Sequence, residues 1–454
     1  MAVRKVSEGV NLIEIPPKNL TFTDYSEIEL MQCFVETRPD LKWCQALNRW
    51  FIWTGKVWEE DRTIRICDEI REFIRGVKNS DDDAGPGIGK ASVVMAVERL
   101  ARAVRPYAIL PEDMDSDPWL LNTPDGVIDL KSGICHNSSP KRLLTRMTSV
   151  SPGDGGDRWR EFLLEITDGD DDLIGYLQRL SGYSLTGSVE AHMLALLYGT
   201  GRNGKGVFTG CLMGLMGDYA GVAPAEMLLE SRVDRHPTEL ATLYRRRLVV
   251  TQETDEGRRW NESRVKSLTG GDPVTARYMR GDFFTFEPTH KLIIATNHKP
   301  SLRHVDEAMR SRLHLVPFTV TIPPEKRDPE LGFKLRDEYP AILQWAIEGC
   351  VAYREEGLNP PSRVLAATSE YFESEDELQL WIDECCVLGD SNNESPSDLY
   401  SSWRDFCSSS GLSAGTQKTF SQKLQSAGFL SGRTREGRFY SGIGIKGKQH
   451  DIGV

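Results

Sequence analysis

The sequence predicts an α/β protein whose centre is a three-layer core, with a mixed helical domain before it and a small domain after it. Four apolar runs after Met193, "MLALLY", "RLVVTQ", "KLIIAT" and "RLHLVPF", alternate with polar or glycine-rich segments, as buried parallel strands do. A glycine-rich loop directly follows the first run. In addition, a chain of 454 residues is too long for a single hydrophobic core.

Shifts in composition divide the chain into five expected regions. The segment "SPGDGGDR" from Ser151 is typical of a linker, and "GDSNNESPS" predicts a second linker. Between them lie a helical pair, the strand-rich core and a long helical stretch. We expect a mixed α/β domain at 1–150, a helical linker or collar at 151–190, the three-layer core at 191–325, a helical region at 326–390 and a small domain at 391–454.

Charge and cysteine usage exclude several classes of protein. The net charge is −12 and the pI about 5.3, so the chain does not coat nucleic acid by bulk charge, and any such contact must be local. The nine cysteines are scattered, which predicts neither a disulfide framework nor a zinc site. The amino terminus lacks the apolar core of a signal peptide, and no stretch approaches the length of a membrane span. We therefore expect a protein of the cytoplasm with no membrane partner.

The segment "LLYGTGRNGKGVF" has the spacing of a phosphate-binding loop. Gly199 is followed by four residues and then by Gly204 and Lys205, between an apolar strand and a stretch that suits a helix. In such loops backbone N–H groups and a helix amino terminus face phosphates, and the lysine reaches their oxygens. An ordinary glycine-rich turn is the alternative. The expected nucleotide contacts are Gly199, Thr200, Gly201, Arg202, Asn203, Gly204, Lys205, Gly206 and Val207, with ATP as the ligand.

Magnesium binding at this loop departs from the usual pattern. The position after the lysine is normally Ser or Thr, whose hydroxyl holds Mg²⁺, but here it is Gly206. Thr209 lies one helical turn further on, and we do not expect it to substitute. The metal must therefore depend more on carboxylates and water.

Polar side chains follow two of the later strands. "RLVVTQETDEG" ends in carboxylates, of which Glu253 is assigned the main catalytic and metal role and Asp255 a metal or supporting role. A solvated acidic loop is the alternative. "KLIIATNHKP" ends at Asn297, whose neutral amide can hydrogen-bond a γ-phosphate or the attacking water without adding negative charge. The alternative there is a turn-forming asparagine.

Two arginines precede the last strand of the core. Arg310 and Arg312 lie in "DEAMRSRLHLVPF". An arginine offered across a subunit boundary would stabilise charge on the transferred phosphoryl group, and either residue could be that arginine finger. The alternative for each is a surface ion pair with Asp306 or Glu307.

These motifs, in this order, resemble the superfamily 3 helicases of the AAA+ class, and most closely the phage and plasmid primase-helicase branch related to the poxvirus-type primase-helicases. The motifs are "GTGRNGKGVF", "LVVTQETDEG", "VKSLTGGDPVTARYMRGDFFTFEP", "KLIIATNHKP" and "RSRLHLVPF". The third is the specific one, because a phosphate loop and a carboxylate strand alone would fit many unrelated ATPases. The segment "DPWLLNTPDGVIDLKSG" more loosely resembles the domain that precedes the motor in this branch.

In the family, the third motif comprises a helix with a lysine, here Lys266, and a β-hairpin that projects into a ring's central channel and grips DNA. The hairpin turns at Gly281-Asp282 in this sequence, with Arg280 at its tip beside Arg277 and Tyr278. Cations near the tip can contact phosphates and aromatic rings can contact bases, without any sequence preference. A hairpin with ordinary surface arginines is the alternative.

The resemblance implies an ATP- and Mg²⁺-dependent DNA helicase of phage or mobile-element replication, which would act in the bacterial host cytoplasm. It further implies a homo-hexameric ring that acts on single-stranded or forked DNA. By this resemblance we expect the chain to hold the helicase part without a primase domain, and we therefore expect a primase or initiator partner. Two other classes stay open: an AAA+ protein-remodelling ATPase, and a non-catalytic origin-binding replication initiator.

The last 54 residues form a local basic region. Residues 401–454 contain eight Lys or Arg and three Asp or Glu, in a chain whose total charge is −12. A predicted helix, "TQKTFSQKLQSAGF", followed by a basic hairpin resembles a winged helix, which would bind DNA. A protein-docking module is the alternative. The expected DNA contacts are Lys418, Lys423, Arg433, Arg435 and Arg438.

Overall fold

A computed structural model of the chain describes residues 25–80, 87–230, 238–252, 258–279, 281–302, 306–375, 377–433 and 438–447. The fold is mixed α/β, with a five-stranded parallel sheet near its centre and smaller antiparallel sheets before and after it. Among the described residues no helix combines the length and the apolar character that crossing a bilayer requires.

The amino-terminal part contains two three-stranded antiparallel sheets and three helices. The first sheet turns between β2 and β3 at Gly55, which has a φ of +91°. Trp43, Trp50 and Trp58 are at most 6% exposed, so the tryptophans of this region belong to its core. The elements are α1 (Glu27–Thr37), β1 (Leu41–Cys44), β2 (Arg49–Trp53), β3 (Trp58–Glu60), α2 (Arg65–Ser80), α3 (Ala91–Ala101), β4 (Leu120–Thr123), β5 (Gly126–Asp129) and β6 (Ile134–His136).

A helical pair, α4 (Asp157–Thr167) and α5 (Asp171–Leu185), leads into the core. Helix α5 packs closely on the long helix α11 (Tyr339–Glu356), because glycines occur where the two helices meet. A Cβ on Gly182 would overlap the backbone of Cys350, and a Cβ on Gly349 would overlap the backbone of Gln178. The pair anchors the parallel sheet to the helices that follow it.

The central sheet has the order β13-β7-β12-β9-β8, and every pair in it is parallel. All four predicted apolar runs are strands of this sheet. The sequence analysis missed the fifth, β8, because a three-residue edge strand gives no apolar run. The elements are β7 (Leu194–Tyr198), α6 (Lys205–Met216), β8 (Ala220–Val222), α7 (Thr238–Ala241), β9 (Leu248–Gln252), α8 (Glu262–Thr269), β10 (Val274–Arg277), β11 (Phe283–Phe286), β12 (Lys291–Thr296), α9 (Glu307–Arg310) and β13 (Leu313–Pro317).

The carboxyl-terminal part continues from the core through helices into a small antiparallel sheet of order β14-β16-β15. The prediction of a linker at "GDSNNESPS" was wrong, because most of it lies in a strand that pairs with β16 and its last residues begin a helix. The register shifts between Leu388 and Asn393, so the polar turn-forming residues lie at an irregularity of the strand. The elements are α10 (Leu331–Lys334), α12 (Ser362–Glu375), α13 (Glu377–Cys385), β14 (Cys386–Glu394), α14 (Pro396–Ser409), α15 (Gln417–Ser426), β15 (Ser431–Arg433) and β16 (Arg438–Ile445).

Candidate nucleotide and nucleic-acid sites

The glycine-rich loop lies at the carboxyl edge of the central sheet, between β7 and α6. Gly201, Arg202 and Gly204 have φ values of +92°, +51° and +84°, so the backbone reverses direction repeatedly before the helix begins. Glycine adopts such values without steric cost, and alternating conformations of this kind turn backbone N–H groups toward one point. Helix α6 starts at Lys205, which brings its positive amino terminus to the same place.

Close packing explains two of the glycines in the loop. A Cβ on Gly199 would overlap the carbonyl oxygen of Phe318, and a Cβ on Gly204 would overlap the side chain of Ile166. Asn203 is 2% exposed, and its Nδ2 donates to the Phe318 carbonyl at 2.8 Å. The loop is therefore held on one side by the segment that follows β13 and on the other by helix α4.

Lys205 is buried at the centre of this arrangement, with 6% of its surface exposed. Its Nζ donates to the carbonyl oxygen of Gly199 at 2.7 Å and to the Oδ1 atoms of Asn203 and Asn297, both at 3.1 Å. A buried ammonium must be matched by acceptors, and these three oxygens hold it at the mouth of the loop. A phosphate there would meet a fixed positive charge.

Asn297 reaches Lys205 because of the strand order. Strand β12 lies beside β7, and Thr296 is in register with Tyr198, so the residues that follow the two strands start at the same height. Strand β9 lies on the other side of β12, with Gln252 in register with Ala295. The carboxyl ends of all three strands thus meet at one edge. The predicted carboxylates Glu253 and Asp255 follow β9 directly in the sequence but lie outside the described residues.

The remaining loop residues differ in exposure. Thr200 and Arg202 are exposed on the loop, Gly206 is exposed at the start of α6, and Val207 is half-buried one residue further on. The structure brings Gly199, Asn203, Lys205 and Asn297 together through direct hydrogen bonds. Arg202 is held through its backbone instead, because its carbonyl oxygen accepts from Ile322 N at 3.1 Å.

The described residues fit a nucleotide's phosphates better than they fit Mg²⁺. Gly206 supplies no hydroxyl, and a Cβ at that position would have no heavy atom within 4 Å. The hydroxyl of Thr209 donates to the carbonyl oxygen of Lys205 at 3.0 Å inside the helix and is 1% exposed, which is consistent with the expectation that it does not substitute. Among the described residues, no cluster of three His, Cys, Asp or Glu side chains could hold a metal.

Arg310 and Arg312 lie at the opposite edge of the sheet from the loop. Leu313, the first residue of β13, is in register with Leu194, the first residue of β7, and Leu194 N donates to the Arg312 carbonyl at 2.7 Å. Strand β7 separates that edge from the loop by about 13 Å, at roughly 3.3 Å per residue. The Arg312 guanidinium donates to the Ala308 carbonyl at 2.8 Å, and that of Arg310 lies 5.0 Å from the centre of a phenylalanine ring. Neither arginine is close to the loop of its own chain.

The predicted hairpin is present as β10 and β11, with Arg277 in register with Phe283. Its exposed end carries apolar side chains, since Tyr278, Met279 and Phe283 are 48%, 77% and 62% exposed. The Arg277 guanidinium lies 5.1 Å from the centre of the Phe283 ring. Burial raises the pKa of Tyr278 although nearby arginines act against the increase. Arg280 lies outside the described residues.

Lys266 does not lie at the end of the hairpin. It is on α8, where its Nζ donates to the carboxylate of Asp306, the residue that caps α9. Partial burial alone would raise the pKa of Asp306, but the hydrogen bonds from Lys266 and from the Met309 backbone, together with the charges of Lys266 and Arg312, lower it. An ion pair with Asp306 was the predicted alternative role for Arg310 and Arg312, and Lys266 forms it instead. Whether Lys266 also contacts DNA stays a prediction.

The basic residues of the carboxyl-terminal part are mostly exposed. Lys418 on α15 is exposed, and Arg433 and Arg438 stand opposite each other on the β15–β16 hairpin. Lys423 differs, because its Nζ lies 3.6 Å from a Glu377 carboxylate oxygen and 5.3 Å from the centre of the Trp403 ring. Arg435 lies outside the described residues. Lys418, Arg433 and Arg438 are thus available at the surface, and Lys423 is engaged in packing.

Comparisons with known proteins agree with the motifs. Residues 29–168 match the family described as "D5 N terminal like", and residues 197–312 match a "Family of unknown function (DUF5906)". The "Putative helicase L207/L206" of Acanthamoeba polyphaga mimivirus is 25% identical over 321 residues, covering 65% of this chain and 33% of that protein. The "Putative helicase 022R" of Frog virus 3 (isolate Goorha) is 25% identical over 312 residues, covering 62% and 30%. The chain thus spans about a third of the length of these relatives.

Solved structures show the same fold at low sequence identity. Two apo structures of the NrS-1 C terminal region match with TM-scores of 0.55 and 0.56 and 11% identity, covering 92% of this chain and 99% of those chains. The chain therefore matches the D5 N-terminal-like family over residues 29–168 and is similar to viral proteins named as helicases, in agreement with the predicted resemblance to the phage and poxvirus-type primase-helicase branch.

Proposed function

We propose that the chain is the motor part of an ATP-dependent DNA helicase or translocase of the AAA+ class, which serves replication of a phage or mobile element. The observation that carries this proposal is Lys205, whose Nζ is buried between Gly199 O and Asn297 Oδ1 at the carboxyl edge of the parallel sheet. Ligands of open α/β sheets bind at that edge. The likeness to helicase-named viral proteins supports the same function.

In this proposal the loop holds the β- and γ-phosphates of ATP through backbone N–H groups, and Lys205 neutralises their charge. The amide of Asn297 orients the γ-phosphate or the attacking water without adding charge. Glu253 and Asp255 are the proposed carboxylates for water activation and metal binding. When bound, Mg²⁺ would neutralise the charge on the phosphates, and carboxylates and water would have to supply its ligands because Gly206 has no hydroxyl.

We propose a ring, a hexamer in the family's pattern, in which a neighbouring subunit completes each site. The support is the position of Arg310 and Arg312 at the amino edge of the sheet, about 13 Å or more from the loop of the same chain. An arginine finger can act from there only on a nucleotide bound by another subunit. The hairpin would contact DNA in the central channel, with Arg277, Tyr278 and Arg280 as the proposed contacts.

We further propose that the carboxyl-terminal unit is a winged-helix-like DNA-binding module. A hydrophobic cluster from Leu378 to Ile443 joins α13, α14, α15 and the small sheet into one packed body. Exposed Lys418, Arg433 and Arg438 give it a positive surface in an acidic chain. DNA recognition by phosphate contacts requires such a local surface.

The deciding experiment is ATP hydrolysis with and without single-stranded DNA, on the wild-type chain and on Lys205→Ala. We expect Mg²⁺-dependent hydrolysis that DNA stimulates, and its loss in Lys205→Ala. The exposed Lys326→Ala variant is the matched control and should keep wild-type activity. Wild-type protein that binds DNA but does not hydrolyse ATP would contradict the proposal and favour a non-catalytic origin-binding initiator.

One observation favours a second candidate, a protein-remodelling ATPase. The described residues at the end of the hairpin are largely apolar, with Met279 77% and Phe283 62% exposed. Pores that move polypeptides favour such side chains over cations. An unfolded protein that stimulates ATP hydrolysis where single-stranded DNA does not would identify this second function.

A further inference from the structure

Two arginines from distant parts of the sequence meet beside the hairpin. Arg146 follows the amino-terminal sheets, within the D5 N-terminal-like region, whereas Arg246 precedes β9 of the core. Asp218 links them, because its N–H donates to the carbonyl of Met147, the residue after Arg146, at 3.1 Å and its carbonyl accepts from the Arg246 guanidinium. The charges of both arginines also counteract the increase that burial causes in the pKa of Tyr278 on the hairpin. Arg246 is the middle residue of three consecutive arginines in "LYRRRL".

The backbones of both arginines are fixed by hydrogen bonds. Asn122 is fully buried, and its Nδ2 donates to the carbonyl oxygens of Arg146 at 3.1 Å and Lys56 at 3.0 Å. The Thr289 hydroxyl donates to the Arg246 carbonyl at 2.7 Å. These contacts fix the backbone on each side, and the Asp218 N–H donates to the Met147 carbonyl at 3.1 Å across the boundary between the D5 N-terminal-like region and the core.

The Arg246 guanidinium binds backbone carbonyls rather than carboxylates, although the charge of Asp218 also acts on Arg246. These carbonyls belong to Asp218 and Ala220, and in the described ranges neither arginine forms an ion pair. The Nε of Arg146 is buried without a hydrogen-bond partner among the described residues. Burial and the charge of Arg146 lower the pKa of Arg246. Two neighbouring positive charges, one with a buried donor that has no partner, raise the free energy of the folded chain, and a bound anion would offset this increase.

A chain of ring contacts connects this pair to the hairpin. The Arg245 guanidinium lies 4.9 Å from the centre of the Tyr244 ring, and that ring packs edge-on against Phe284 at 5.3 Å. Phe284 in turn stacks on Tyr278, with centres 5.1 Å apart. The segment that carries Arg246 is therefore packed directly on the hairpin. A DNA strand held by the hairpin would pass close to both arginines.

We propose that Arg146 and Arg246 form a second phosphate-binding site for single-stranded DNA, adjacent to the hairpin and shared between the D5 N-terminal-like region and the core. This inference rests on the proposed DNA motor function. Guanidinium groups bind backbone phosphates without sequence preference, while the exposed rings of Tyr278 and Phe283 offer stacking surfaces for bases. The amino-terminal region would thus be part of the DNA track.

Fluorescence anisotropy with a labelled oligothymidylate tests this site in the full chain, at a series of KCl concentrations and with a non-hydrolysable ATP analogue. Losing one phosphate contact should weaken binding about fivefold to tenfold and reduce the slope of log K against log salt concentration by about 0.7. We expect this change in Arg146→Ala and in Arg246→Gln. Arg146→Lys, which keeps the charge, should recover most of the salt slope. The control Arg160→Ala removes an exposed arginine on α4 and should bind as the wild type does.

The outcomes separate this inference from the proposed function. If both Arg146→Ala and Arg246→Gln keep the wild-type affinity and salt slope, the second site is overturned. If Tyr278→Ala weakens binding in the same experiment, the proposed motor function still stands. A wild-type chain that does not bind the oligonucleotide would overturn both. If Arg146→Ala fails to fold by circular dichroism, Arg246→Gln and Arg146→Lys decide the question. An acidic protein segment as the true occupant would leave the DNA affinity of all variants equal, which also overturns the proposal.

Discussion

Lys266 donates a hydrogen bond to the carboxylate of Asp306, and this contact joins the helix before the hairpin to the short helix that ends at Arg310. Asp306 also accepts from the backbone N–H of Met309 at 2.8 Å, so a single carboxylate caps α9 and holds α8. A movement of the hairpin would therefore shift the position of the proposed arginine finger. Coupling between DNA and hydrolysis has a physical path through this pair.

Replacing Lys266 with Met should reduce the stimulation of ATP hydrolysis by single-stranded DNA. The methionine keeps most of the side chain's apolar length but loses the ion pair, so the coupling should fall by about 0.5–2 kcal/mol, roughly twofold to thirtyfold in the stimulated rate. Hydrolysis measured over a range of DNA concentrations distinguishes lost stimulation from lost affinity. Exposed Lys326→Met is the control. Full stimulation at saturating DNA in Lys266→Met would argue against coupling through this pair.

The same pair predicts how stability depends on pH. The folded-state pKa of Asp306 is lowered from its ordinary value of 3.8, so its contribution is present above that value and is lost as the pH falls through the lowered pKa. Lys266→Met should therefore melt at a lower temperature than the wild type near neutral pH, and the difference should shrink below about pH 4. Because both side chains are partly exposed, the difference should also decrease with salt. A difference that is constant from pH 7 to strongly acidic pH would contradict this assignment.

Asn297→Ala should lower the rate of hydrolysis more than the affinity for ATP. The amide holds Lys205 and is proposed to orient the γ-phosphate or the water, so its loss should reduce kcat about 10- to 100-fold. Asn297→Asp should instead weaken ATP binding, because a carboxylate there would pair with Lys205 and repel the phosphates. Steady-state kinetics with a fluorescent-nucleotide titration separate the two effects. The exposed Asn137→Ala serves as control. Equal kcat in Asn297→Ala and Asn137→Ala would exclude the proposed role.

Gly206→Ser should lower the Mg²⁺ concentration that hydrolysis requires. The position is exposed and a Cβ there has no heavy atom within 4 Å, so the side chain fits and can supply the missing hydroxyl ligand. We expect the Mg²⁺ concentration for half-maximal activity to decrease by about threefold to tenfold, because the serine adds one oxygen ligand. Gly210→Ser, on the same helix and equally open, changes helix propensity alone and is the matched control. The same shift in both variants would mean that the hydroxyl does not reach the metal.

The glycine-rich loop between a buried strand and a helix could be predicted from the sequence, because its spacing, its glycines and the strand before it are all local features. The approach of Asn297 to Lys205 followed only from the strand order, in which β12 lies next to β7. The pairing of Lys266 with Asp306 was not predicted, because residues 40 apart in sequence carry no sign of their contact. Strand β14 was mistaken for a linker because its polar residues lie at an irregularity where pairing does not depend on apolar alternation.

Mixing two inactive variants should restore hydrolysis if the sites form between subunits. Lys205→Ala cannot hold ATP productively but keeps its arginines, and a chain with Arg310→Ala and Arg312→Ala keeps its loop. Since these arginines lie at the edge of the sheet opposite the loop, each can serve only a neighbouring subunit. At equal amounts, with free exchange, roughly one site in four should combine an intact loop with an intact arginine.

Single-arginine variants then identify the finger. Arg310→Ala and Arg312→Ala are each mixed separately with Lys205→Ala. The rate of ATP hydrolysis should recover on mixing only for the variant that has lost the arginine acting across the subunit boundary. Arg312 is anchored to the Ala308 carbonyl, whereas Arg310 has a ring contact as its described partner, so Arg310 has the more adjustable guanidinium. We therefore expect Arg310→Ala to be the more inactive variant and the one that mixing rescues. A mixture that stays inactive while native mass spectrometry shows mixed rings would place the finger elsewhere in the chain.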